Sequence, residues 1–93
     1  MIIKCCIMEL PSGIYGASFP DNDDWCILLA SNVADITRRH AFGHEMAHVL
    51  LGRHQQTDRP LVEIEREANA QAWEYYRRYR KQYSPQGQYT IDA

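Results

Sequence analysis

A chain of 93 residues, 45% hydrophobic and 24% charged, has the size and composition of a single compact domain and lies outside the range of disordered chains. Its formal charge of −2 provides no broad cationic face for nucleic acid, and no apolar run approaches the ~20 residues that span a bilayer. Three cysteines, two of them adjacent, form neither a disulfide framework nor a Cys-x-x-Cys knuckle, and read as free thiols buried in strands within a reducing cytoplasm.

Residues 2 to 8 are apolar and carry β-branched Ile2, Ile3 and Ile7, which predicts a first strand; they lack the charged start, long apolar centre and small-residue end of a signal peptide. Pro11-Ser12-Gly13 supplies a turn, Gly13 to Phe19 a second short strand, and Pro20-Asp21-Asn22-Asp23-Asp24 a polar loop. The continuous apolar run Trp25 to Ala30 predicts a strand buried on both faces.

The periodicity then becomes helical. Ser31, Asn32 and Asp35 are candidate N-caps for a helix from about Val33 to Leu51, stopped by Gly52. A second helix is expected from about Leu61 to Tyr83, with Asp58 as cap and Pro60 at the first helical position. The basic run Arg77-Arg78-Tyr79-Arg80-Lys81 reads as a solvated outer face, and the tail 84–93 as loosely held. Strands followed by helices make an α+β domain over residues 1–93, with about three strands packed on two helices.

The chemistry is concentrated in His44-Glu45-Met46-Ala47-His48. Histidines four apart on a helix project from one face, one turn from each other, so both imidazoles reach a single ion. In the H-E-x-x-H arrangement the ion is zinc and the intervening glutamate is the general base. The flanks Phe42, Ala47, Val49, Leu50 and Leu51 are apolar, and two histidines and a carboxylate on such a helix are costly without a partner.

A catalytic zinc site needs a third protein ligand. On the second helix Leu61, Ile64, Ala68, Ala72, Tyr75, Tyr76, Tyr79 and Tyr83 form an apolar stripe, and Glu65 and Asn69 fall inside it. At ~100° per residue, Glu63 and Glu67 point away from Glu65 toward solvent. Glu65 is therefore the expected third ligand, with Asn69 placed to bond a metal-bound histidine. The competing reading pairs Glu65 with Arg38 or Arg39. His54 occupies the last histidine of the H-E-x-x-H-x-x-G-x-x-H pattern, but Leu51 stands where that pattern needs glycine, so His54 reads as a surface residue. An oxyanion-stabilising electrophile stays open among Arg39, His40, Tyr75 and Tyr76.

The segment from Arg39 to Gly52, followed by Glu65-Arg66-Glu67-Ala68-Asn69-Ala70-Gln71-Ala72, resembles the ImmA/IrrE metallopeptidases, in which an H-E-x-x-H helix precedes a helix with a Glu-x-x-Ala-Asn-x-x-Ala signature. The resemblance covers about residues 25 to 76. It implies a gluzincin-like fold with His44, His48 and Glu65 as zinc ligands and Glu45 as catalytic base. It also implies cleavage of a helix-turn-helix repressor. The chain departs from the family in lacking a helix before the sheet and in carrying Gln71-Ala72 after the Asn motif. The expectation is a zinc peptidase acting on a protein substrate. The alternative from a different class is a zinc-stabilised binding module with little turnover.

Overall fold

The structure is a computed structural model that describes residues 1–52 and 59–93. The β-branched run at the start of the chain forms β1 (Ile2–Met8), and the apolar run before the first helix forms β3 (Asp24–Ala30). These two pair in parallel, with Ile3 opposite Trp25, Cys5 opposite Ile27 and Ile7 opposite Leu29. Because successive side chains alternate across a sheet, these six share one face and build half of the core.

Between them lies β2 (Gly16–Asp21), an edge strand antiparallel to β3. Pro20 and Asp21, expected in a loop, belong to this strand: the reversal is confined to a tight turn in which Asn22 takes φ 56, a conformation asparagine tolerates. Proline fits here because it lies opposite Trp25 on an edge strand, where its missing N–H breaks no ladder bond.

The fold is α+β with a four-stranded sheet ordered β2-β3-β1-β4, one strand more than the sequence predicts. The extra strand is β4 (Gln88–Asp92), which pairs antiparallel with β1 and corrects the expectation of a loose tail. Ile91 and Tyr89 face the helices opposite Ile3 and Cys5, so the tail completes the core.

Helix α1 (Asp35–Leu50) packs on this sheet face, and α2 (Leu61–Tyr79) packs principally on α1. The contact between them is close at Gly43, where an added Cβ would lie 1.7 Å from the carbonyl oxygen of Ala72. Only glycine permits this approach. Fully buried Ala47, Ala68 and Ala72 keep the rest of the seam thin.

Both helices begin later or end earlier than predicted. At α1 the N-cap is Ala34, which has no side-chain cap bond; Asp35 opens the helix and accepts from Arg38, Arg39 and Tyr83. Buried Arg38 also donates to the carbonyls of Ala30, Ser31 and Val33, fastening the helix start to the end of β3. At α2 the N-cap is Pro60 and the first helical residue is Leu61, while Asp58 lies outside the described residues. The helix stops at Tyr79, not Tyr83, because the chain turns back toward β1. Tyr83 keeps its place in the core from that turn, edge-on to Phe42, Tyr76 and Tyr89.

Helices cover one sheet face only. Cys5 is buried, but Cys6 and Cys26 are half-buried on the other face, which corrects the expectation of three buried thiols and of a β3 enclosed on both sides. All three cysteines are free. The basic run at the end of α2 is solvated as expected, with Arg77 paired to Glu74 and Arg78 over the Tyr75 ring. Among the described residues no helix is long and apolar enough to cross a membrane.

Candidate metal centre

The spacing of four residues on α1 places His44 and His48 one above the other, with their Nε2 atoms 3.0 Å apart. From α2, Glu65 closes the group: one carboxylate oxygen is 3.0 Å from His44 Nε2 and the other 2.9 Å from His48 Nε2. The close helix seam, which Gly43 permits, brings the three side chains together. Arg38 and Arg39 bond Asp35 instead, so the competing ion pair to Glu65 does not form.

The burial of Glu65 differs from expectation. The enclosed line of α2 is Ile64, Ala68, Ala72 and Tyr75. Glu65 and Asn69 each stand one residue beyond it, ~100° round the helix, at the border with solvent. Glu65 is accordingly 46% exposed, and Leu61 is 73% exposed rather than part of the stripe. Cost of core burial is thus no reason for a metal at Glu65; its convergence with two imidazoles is. Glu63 is exposed, whereas Glu67 is half-buried and bonds Arg59 at 2.9 Å, so neither joins the group. His54 lies outside the described residues.

His44 is oriented from behind. Its Nδ1 lies 2.8 Å from the amide oxygen of Asn69, an acceptor, a contact that suits the tautomer with the proton on Nδ1 and leaves Nε2 toward His48 and Glu65. This is the support expected of a metal-binding imidazole.

Glu45 turns the other way along α1, toward the sheet. It is buried, and accepts a 2.7 Å hydrogen bond from the Ser18 hydroxyl on β2 while its second oxygen stays 4.0 Å from His44 Nε2. Burial raises its pKa above the ordinary carboxylate value, partly opposed by the Ser18 bond and by His44. Ser18 went unrecognised in the sequence because its role comes from inward alternation on an edge strand whose boundaries were misplaced.

A cavity of about 510 Å³ opens beside this group, with His44, Glu45 and Asn69 in its lining. Of the residues open as electrophiles, His40 lines it; Arg39 is held by Asp35, Tyr75 is buried, and Tyr76 packs against Phe42 and Trp73. Tyr15 also lines it, a phenol that nothing in the sequence singled out. Compared with family models, with curated proteins and with solved structures, the chain matches none.

Proposed function

We propose that the protein is a zinc-dependent peptidase that hydrolyses an extended segment of a protein substrate. The observation that carries this reading is the convergence of His44 Nε2, His48 Nε2 and the Glu65 carboxylate within 4.8 Å, with a buried carboxylate, Glu45, beside them and outside the donor set. The donors suit zinc chemically, being two imidazoles and a carboxylate. They suit it in size too: zinc–ligand bonds of about 2.0–2.1 Å put tetrahedral ligands about 3.3 Å apart; the two imidazole nitrogens here are 3.0 Å apart, and Glu65 brings one oxygen to 3.0 Å from His44 and the other to 2.9 Å from His48.

A bound zinc supplies Lewis acidity toward a carbonyl oxygen and toward water. The chain's own residues do the rest. Glu45 takes the proton of the attacking water and passes it to the leaving amine. Ser18 keeps the Glu45 carboxylate turned toward the cavity, and Asn69 keeps His44 in the ligating tautomer.

Among the described residues β2 is an edge strand, which supports an extended substrate. The Ala30 N–H donates to the Tyr15 carbonyl, so Tyr15, Ala17 and Phe19 turn their backbone groups toward β3. By alternation Gly16 turns its peptide groups away from β3, at the outer edge of the sheet beside the cavity, where a peptide would add as a further strand. Free cysteines support a cytoplasmic setting, and resemblance to the ImmA/IrrE metallopeptidases supports a helix-turn-helix repressor as the substrate.

Elemental analysis of protein purified without chelator should find about one zinc per chain, and a chelator should lower the melting temperature. Glu45→Gln should keep the zinc and lose at least ~100-fold in cleavage of a co-expressed repressor encoded nearby. Repressor bound but left intact by both forms would replace the peptidase with the binding module. Equal cleavage by both would remove Glu45 from its role.

A further inference from the structure

The cavity beside the histidines runs well past them. Its floor follows α1 toward the helix start through Ala41, His40, Thr37 and Ile36, and its walls are Trp73 from α2 and Tyr15 with Gly16 from the β2 side. Ile36 is 61% exposed, Tyr15 50% and Trp73 37%. Single exposed apolar residues are ordinary. These three come from three separate elements and border one concavity that Glu45 and His44 also line, which is an arrangement scattered surface residues do not produce.

Its electrostatics are equally selective. Among the described residues no lysine, arginine or aspartate lines it, and Glu45 is the one carboxylate that does. His40 packs edge-on against Trp73 at 5.3 Å. A charged side chain placed between Ile36 and Trp73 would lose part of its hydration against apolar surface. At Gly16 an added Cβ would lie 3.2 Å from Glu45 Cγ, so this glycine keeps the passage from the strand edge to Glu45 open.

We propose that this cavity is a side-chain subsite that selects a bulky, uncharged apolar residue, aromatic or branched aliphatic, next to the bond being cut in a peptide laid along β2. Ile36 and Trp73 are its specificity-determining residues. The assignment rests on the peptidase reading for the words "next to the bond being cut", and on the cavity alone for the preference itself.

Binding and cleavage test the two separately. The zinc-loaded Glu45→Gln protein is titrated with blocked hexapeptides that differ at one central position, bearing Phe, Leu, Ala, Lys or Asp. The indole N–H signals are followed by NMR; the second tryptophan, Trp25, lies in the sheet core and serves as the internal reference. The Phe and Leu peptides should bind at least ~10-fold tighter than the Ala, Lys and Asp peptides, and should move the Trp73 signal while leaving that of Trp25 in place. Ile36→Gln, at an exposed position where the fold has little at stake, should reduce that preference to within about threefold, as should Trp73→Ala. Equal binding of all five peptides, tightest binding of the Lys peptide, a motionless Trp73 signal, or no binding at all would overturn the subsite. Wild-type protein that cleaves the five peptides equally would overturn the subsite and leave the peptidase standing. Apolar-selective binding at Trp73 without cleavage by the wild type would do the reverse.

Discussion

On α1, Glu45 and His48 lie beneath the surface, next to wholly enclosed Met46 and Ala47, and Ser18 holds Glu45 from the sheet. On α2, Glu65 and Asn69 stand at the rim, outside the enclosed line of Ile64, Ala68 and Ala72. The α1 half is therefore positioned by the core, and the α2 half only by how closely one helix lies against the other. Packing preorganises Glu45 and one histidine, whereas Glu65 depends on a seam set by Gly43 against Ala72.

The largest expected effect comes from breaking that seam. Gly43→Ala puts a methyl group against a backbone carbonyl that cannot move alone, and should cost about 3 kcal/mol, at the upper end for an overpacked core. Thermal melting at ~4–8 °C per kcal/mol for a domain of this size measures it. An unchanged melting temperature would mean that the two helices are not held together here.

Next is the rim. Glu65→Ala should weaken zinc binding by at least ~100-fold, and Asn69→Ala by ~10–100-fold through His44, while Glu67→Ala should leave it unchanged. Competition against a chromophoric chelator orders the three. If Glu67 mattered more than Glu65, the phasing of α2 would be wrong. On the buried half, Ser18→Ala removes one hydrogen bond to a buried carboxylate and should cost about 1–3 kcal/mol in chemical denaturation while leaving zinc affinity intact.

The smallest effect is a pH dependence at the start of α1. Burial opposes the charge on Asp35, but the Tyr83 hydroxyl together with Arg39 and Arg38 outweighs it and holds the carboxyl below its ordinary 3.8. A depressed folded-state value means that the contribution to stability is fully present above the unfolded value and is lost as pH falls through the folded one. Asp35→Asn should therefore lower stability at neutral pH, by no more than ~1 kcal/mol for so exposed a group, and the difference should shrink below about pH 4. A difference that grows on acidification would contradict the assignment.

Elements with a strong local period could be read directly: β1 and β3 from β-branched and continuous apolar runs, α1 from its apolar flanks and its glycine stop. What escaped was set by distant partners. Tyr89 and Ile91 alternate over only five residues, between a turn-rich stretch and the end of the chain, and become a strand because β1 offers an edge. Tyr83 fits the helical stripe by spacing yet reaches the same aromatic cluster from outside the helix. At the site, the i and i+4 positions of His44 and His48 were visible as a pattern. Ser18, Tyr15, Ile36 and Trp73 carry no pattern and become neighbours only when the sheet edge, α1 and α2 meet.

Ser18 belongs to two structures at once. Its hydroxyl holds the Glu45 carboxylate, while its backbone continues the edge strand that pairs with β3. On the proposed peptidase reading, a substrate strand laid beside β2 would tighten the rail from which the Glu45 carboxylate hangs, so that its aim would be steadiest with that strand in place.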